Sequence, residues 1–121
     1  MTNSGTKVFI EYLVAELDLP EHEQPNLGSW GRVGTTLGAL SLKLNLMDME
    51  KINNLLEIQD QTGGLFGDVA IELGYLDEGQ VSKLLNVQKW SRRAEILQRL
   101  FLNGHIDESQ YSHFVSKIYT I

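Results

Sequence analysis

Gly74-Tyr75-Leu76-Asp77-Glu78-Gly79-Gln80 recurs further along the chain as Gly104-His105-Ile106-Asp107-Glu108-Ser109-Gln110. Both stretches read Gly, bulky, aliphatic, Asp, Glu, small, Gln. A more worn copy, Asn45-Leu46-Met47-Asp48-Met49-Glu50-Lys51, stands nearly the same interval before the first of these. Recurrence at this period marks one supersecondary unit repeated in space. Gly and Asn tolerate the left-handed conformation that closes a helix. Two residues then bridge to an Asp, whose carboxylate accepts from the free N–H groups opening the next helix. Gln80 and Gln110 stand where a reciprocal capping box needs them. The pairs Tyr75-Leu76 and His105-Ile106 are placed to clamp the turn beneath the following helix.

Working outward from these turns, apolar residues recur at helical spacing on both sides. The helices entering the turns carry Val33, Leu37, Leu40 and Leu44; Phe66, Val69, Ala70 and Leu73; Ile96, Leu97, Leu100 and Phe101. Those leaving carry Ile52, Leu55 and Leu56; Val81, Leu84 and Leu85; Tyr111, Phe114, Val115 and Ile118. Three helical hairpins are expected, over residues 32–61, 64–88 and 90–119. Ahead of them, residues 6–17 form an amphipathic helix. Residues 18–31, with Pro20, Pro25, Gly28 and Gly31, read as a linker. The expected fold is all-α, a single domain of about seven helices. In the first hairpin Gly34 to Asp48 spans 14 positions against 10 from Gly67 to Asp77, which predicts a longer first helix or a looser exit.

Composition narrows the function classes. The 121 residues carry a net charge of −6, which repels a nucleic-acid backbone. There is no cysteine, hence no disulfide or thiolate chemistry, and this favours a reducing compartment. No apolar run reaches the roughly 20 residues of a membrane helix. Met1-Thr2-Asn3-Ser4-Gly5 lacks the basic start of a signal peptide. The expected location is the cytoplasm, without membrane insertion. His22, His105 and His113 have no metal-ligand spacing. No catalytic constellation stands out, and an enzyme is not expected.

Leu65 to Gln88 reads Leu-Phe-Gly-x-x-Ala-x-x-x-Gly-Tyr-Leu-x-x-x-Gln-Val-x-x-Leu-Leu-x-x-Gln. This resembles the motif of the N-terminal domain of type II secretion and type IV pilus assembly ATPases. That motif runs Arg-Leu-Gly, a helix, Gly and two aliphatics, a cap, then Gln-Leu-x-x-Ala-Leu-x-x-Gln. In the first copy Arg32-Val33-Gly34 and Leu55-Leu56-x-x-Gln59 match its two ends. The resemblance covers about residues 31–88 and implies an all-helical bacterial regulatory module. Some such domains bind cyclic di-GMP through two tandem motifs, and others dock a protein at the cytoplasmic face of a secretion machine. No Gly-x-x-x-x-Gly-Lys-Ser/Thr phosphate loop is present, so ATP hydrolysis is not expected. Leu65 stands where the motif has its leading Arg, and Leu97 replaces the motif glycine in the third copy.

The resemblance nominates Arg32, Gly34, Gln59, Gly67 and Gln88 as ligand-binding positions. Arg32 at a helix start suits an anion, and a glutamine carboxamide bonds a base edge at two points. Gly34 and Gly67, just inside their helices, mark a close approach by a neighbouring helix or a ligand. Trp30 reads as a packing anchor, with a stacking platform as the alternative. Arg92, Arg93 and Arg99 form the second nominated set, a docking patch for an acidic partner, with 92 and 99 sharing one helix face. The function expected is therefore a non-catalytic adaptor acting mainly by protein docking. The alternative is a cyclic di-GMP sensor.

Overall fold

The computed structural model describes residues 4–19, 27 and 34–121. Arg32, Trp30, His22 and most of the 18–31 linker lie outside them. The described residues are all-α, with no strand among them. Six helices have defined bounds: α1 Ser4–Leu17, α2 Leu37–Lys43, α3 Met49–Thr62, α4 Phe66–Glu72, α5 Glu78–Leu102 and α6 Glu108–Val115.

The recurring turn has the same hydrogen bonds in all three copies. After α2, Asn45 takes a left-handed φ of 59°, and Gly74 (73°) and Gly104 (80°) do so after α4 and α5. The amide of the next residue then reaches five positions back: Leu46 to the Ser41 carbonyl, Tyr75 to Ala70, His105 to Leu100. A second bond closes from Asn45, Gly74 and Gly104 to the carbonyls of Leu42, Ile71 and Phe101. This is the Schellman pattern, which satisfies carbonyls a helix end would leave bare.

The aspartates then open the next helices as the spacing predicts. The Asp107 carboxylate accepts from the Gln110 amide at 2.8 Å while the Gln110 side chain accepts from the Asp107 amide at 2.9 Å. Asp77 and Gln80 repeat this at 2.7 and 3.0 Å. Asp48 accepts from the Lys51 amide at 2.9 Å, but a lysine at the third position cannot return the bond. The bridging aliphatics Met47, Leu76 and Ile106 are buried beneath the turns.

Three sequence expectations are corrected. First, the second and third hairpins share a helix, since α5 runs 25 residues without a break at 88–90. No Gly or Pro occurs from Gln80 to Leu102, so nothing stops the helix. Between α3 and α4, by contrast, Gly63 takes φ 72° and ends the helix at once.

Second, the start of the first motif shifts. Gly34 lies ahead of α2 in the left-handed region, with φ 74°. The glycine at the second helical position is Gly38, as Gly67 is in α4. Thr36-Leu37-Gly38 thus pairs with Leu65-Phe66-Gly67, across the same interval that separates Asp48 from Asp77 and Gln59 from Gln88. Both α2 and α4 have 7 residues, so the first copy has no surplus turn.

Third, Leu56 and Leu85, read as part of the inward stripes, point to solvent at 45% and 47% exposure. Their neighbours Leu55 and Leu84 fill the core instead.

The chain divides into two compact units, residues 34–88 and the described residues outside them. In the first, Leu40, Ile52, Leu55, Phe66, Val69, Ala70 and Leu84 form the buried cluster. In the second, Phe9 and Leu13 of α1 pack with Leu27, Ile96, Leu97, Leu100, Phe114 and Ile118. Leu27 comes from the stretch read as a linker, yet it is fully buried.

The two motif glycines differ in crowding. A Cβ at Gly67 would sit 2.8 Å from Val81 Cγ1, whereas one at Gly38 would meet Phe66 and Ile52 at 3.6 and 3.7 Å. Val81 is β-branched and has little rotamer freedom to yield. Gly67→Ala is therefore expected to destabilise by about 1–3 kcal/mol. Gly38→Ala should be neutral or stabilising by up to about 1 kcal/mol, the helix-propensity gain. Asp77→Ala and Asp107→Ala should each cost about 1 kcal/mol. Urea midpoints at unchanged slope measure all four; equal behaviour of the two glycine variants would remove the packing role of Gly67.

Candidate functional site

Within residues 34–88, Gln59 and Gln88 hold the same place in consecutive repeats. Each follows an exposed leucine by three residues, Leu56 and Leu85 respectively. On a helix that spacing puts leucine and carboxamide on one face. Their bonding differs. The Gln88 Nε2 donates to the Thr35 carbonyl at 3.0 Å, in a partly buried contact that ties α5 to the turn before α2. Among the described residues, the Gln59 side chain makes no hydrogen bond. It lines an open recess of about 400 Å³ with Leu56, Asp60, Gly63 and Gly64.

Gly64 is the repeat counterpart of Thr35, and each precedes the residue that opens the next helix. Gln88 lies within α5 and bonds across to Thr35. Gln59 lies four residues before Gly63, which closes α3, and among the described residues makes no such bond to Gly64.

The residues that open α2 and α4 are Thr36 and Leu65. Thr36 caps its helix, accepting from the Ala39 amide at 3.2 Å. Leu65 makes no side-chain cap and is 72% exposed. With the register corrected, these are the two positions where the resembled motif carries its leading basic residue, and neither is charged. Gly34 stands apart from them, because its glycine serves a left-handed turn. Gly67 faces Val81 rather than a cavity.

A second recess of about 590 Å³ lies along the opposite edge of α3, lined by Asp48, Glu50, Lys51, Asn53, Asn54, Glu57 and Tyr75. The Asn54 Nδ2 donates to the Tyr75 hydroxyl at 2.7 Å. Lys51 lies 5.7 Å from the centre of the same ring. Among the described residues, no group of three or more His, Asp or Glu side chains is placed to hold a metal ion. No helix of the described residues is long and apolar enough to cross a membrane.

The three nominated arginines belong to the other unit and do not form one patch. Arg92 and Arg99 are partly buried. Arg93 is 2% exposed and belongs to the core, a correction to its reading as a docking residue. Its Nη1 donates to the Ile118 carbonyl at 2.6 Å and its Nη2 to the Ile121 carbonyl at 3.1 Å. The guanidinium carbon stands 5.1 Å from the centre of the Phe9 ring. Burial lowers the pKa of this guanidinium from its ordinary value, but an arginine stays charged at neutral pH. Ile118 and Ile121 lie beyond α6, where successive amides reach three residues back: Lys117 to Phe114, Ile118 to Val115, Thr120 to Lys117. Such turns leave carbonyls to be satisfied from elsewhere, and the arginine fork supplies the donors.

Comparison of the chain with family models, with characterised proteins and with solved structures gives no match. The family resemblance rests on the motif residues themselves.

Arg93→Met preserves length but removes both donors. It is expected to cost about 2–3 kcal/mol, the range of a charge-assisted bond lost from a buried acceptor. Arg93→Lys should recover only part, because one ammonium cannot reproduce the planar fork. Denaturation midpoints that match the parent in both variants would show that the carbonyls find other donors.

Proposed function

We propose that this chain is a non-catalytic regulatory or adaptor module that works mainly by docking another protein. The observation that carries this reading is the repeated exposure of large apolar side chains. Leu56 and Leu85 face water at equivalent points of two repeats, and Leu65 stands exposed at the start of α4. Fully burying an exposed leucine stabilises by about 1.5–3 kcal/mol; Leu65 leaves most of that unused, and Leu56 and Leu85 about half. A partner that covers them would recover it. The resemblance to the N-terminal domains of secretion and pilus ATPases supports the same class, with a cytoplasmic assembly as the partner.

The alternative is a cyclic di-GMP sensor. It is favoured by the equal length of the two motifs, which puts Gln59 and Gln88 in matching places. The electrostatics favour docking. A cyclic dinucleotide brings two phosphates, and the leading positions Thr36 and Leu65 supply no cation to either.

Two measurements separate the readings. Calorimetric titration with cyclic di-GMP is expected to give no heat up to high micromolar ligand. A photo-crosslinking amino acid at position 65 or 85, tested in the source cells, is expected to trap one protein adduct. The same probe at Glu78, the exposed first residue of α5, should trap none. Nucleotide binding without an adduct would reverse the choice.

A further inference from the structure

We propose that Asn103 and Gly104, in the turn between α5 and α6, form a spontaneous modification site. Local opening of the turn lets the Gly104 nitrogen attack the Asn103 side chain, and the isoaspartate that results loosens the turn. The inference stands apart from the docking reading and uses no residue of that surface.

Asparagine is a chemically labile residue, and of all the asparagines in the chain Asn103 alone is followed by glycine. The attack needs the next residue's nitrogen to approach the side-chain carbon closely, and glycine puts no Cβ in the way. Asn45 and Asn86 are followed by the branched Leu46 and Val87, and Asn53, Asn54 and Asn86 lie inside helices. Position matters as much as the pair. In the three copies of the turn the residue before the left-handed one is Leu44, Leu73 and Asn103, so the reactive carboxamide belongs to the third copy. Asn103 stands just past the end of α5, and both it and Gly104 are exposed. A Cβ at Gly104 would meet nothing within 4 Å, so solvent reaches this side of the turn. The Gly104 amide donates to the Phe101 carbonyl at 3.1 Å, and while that bond holds, the nitrogen is engaged. Helix ends fray, and fraying frees this nitrogen without unfolding the unit.

The chemistry consumes only water. A solvent base removes the Gly104 N–H proton, and the nitrogen bonds to the Asn103 Cγ. The bond from Cγ to the side-chain nitrogen breaks, and that nitrogen leaves as ammonia with a proton from solvent. A succinimide ring remains. Water then adds to one of its two carbonyl carbons, the bond from that carbon to the ring nitrogen breaks, and the nitrogen regains a proton. Opening at Cγ gives aspartate in the original backbone. Opening at the main-chain carbonyl gives isoaspartate, with the chain now running through Cβ and Cγ. Both products oppose the turn. Aspartate places a negative charge at the C-terminal end of α5, the wrong end of the helix dipole. Isoaspartate adds a carbon to the main chain just before Gly104, so the bonds from Gly104 to Phe101 and from His105 to Leu100 lose their register. Ile106, buried in one cluster with Phe9, Leu97 and Leu100, follows two residues later.

The test incubates the full chain for weeks in warm, mildly alkaline buffer, without denaturant and at a series of urea concentrations. Peptide mass spectrometry with backbone fragmentation then locates aspartate and isoaspartate. The folded chain is expected to convert at position 103, with release of ammonia in step, and to stay unchanged at Asn45, Asn53, Asn54 and Asn86. Full unfolding should speed conversion several-fold, because the Gly104 amide is then always free. Below the unfolding transition the rate should stay level, since local opening does not need the unit to unfold. Asn103→Gln keeps a carboxamide but requires a larger, slower-forming ring, and should lose the conversion. Converted protein, separated by ion exchange, should unfold at lower urea than the parent. A folded chain unchanged at position 103 while the unfolded chain converts would overturn the proposal, as would a rate that follows the unfolded fraction from the first addition of urea. Converted protein as stable as the parent would remove the loosening of the turn.

Discussion

Everything in this fold hangs on how one helix is stopped and the next one started within a single short turn. A helix end leaves four carbonyls, and a helix start four amides, without partners. Here the two ends are satisfied by adjoining residues. A left-handed Gly or Asn turns two amides back onto the outgoing helix, and an Asp takes an amide of the incoming one. The bridging aliphatic is driven into the core by the same turn. Because the polar obligations are met locally, the flanking helices need only apolar contact to stay together. Helices as short as α2 and α4 would not persist alone in water. They persist here because the turn closes each at its C-terminal end and one face is covered, and α2 is also capped by Thr36.

The repeats then diverge at the point of closest approach. Gly67 lets α4 settle against Val81 with no room to spare, and Gly38 allows slightly looser contact against Ile52. In the third copy Leu97 occupies the corresponding place and is wholly buried. A full-sized side chain there means that this copy builds its core differently, from α1 and Leu27. One turn chemistry therefore supports two kinds of packing.

Much of this is legible in the sequence because the turn residues admit few conformations. A glycine followed by two bulky residues and an Asp–x–x–Gln has little choice, and Asn45, Gly74, Gly104, Asp77 and Asp107 do what their chemistry demands. The failures share a physical cause. Glycine serves two ends, left-handed backbone and close approach, and sequence does not distinguish them. Gly34 is the first kind and Gly67 the second; reading Gly34 as the counterpart of Gly67, where Gly38 stands, places the first copy one turn too early. The run of α5 past Gln88 depends on the absence of a stop signal, which a repeat pattern easily masks. Leu56 and Leu85 fit an inward stripe by spacing, but their neighbours Leu55 and Leu84 take the buried positions. Arg93 reads as a surface charge because its acceptors are backbone carbonyls, which leave no trace in residue type.

That arginine also bears on the order in which the chain takes shape during synthesis. Its acceptors lie 25 and 28 residues further along. Neither bond can form until residues 118 and 121 have been made, so the packing of Ile118 with Phe9 and Leu13 is completed only after they emerge. The buried cluster of the other unit draws on residues 37–87, all of which precede Arg93. That unit is therefore expected to close first during synthesis.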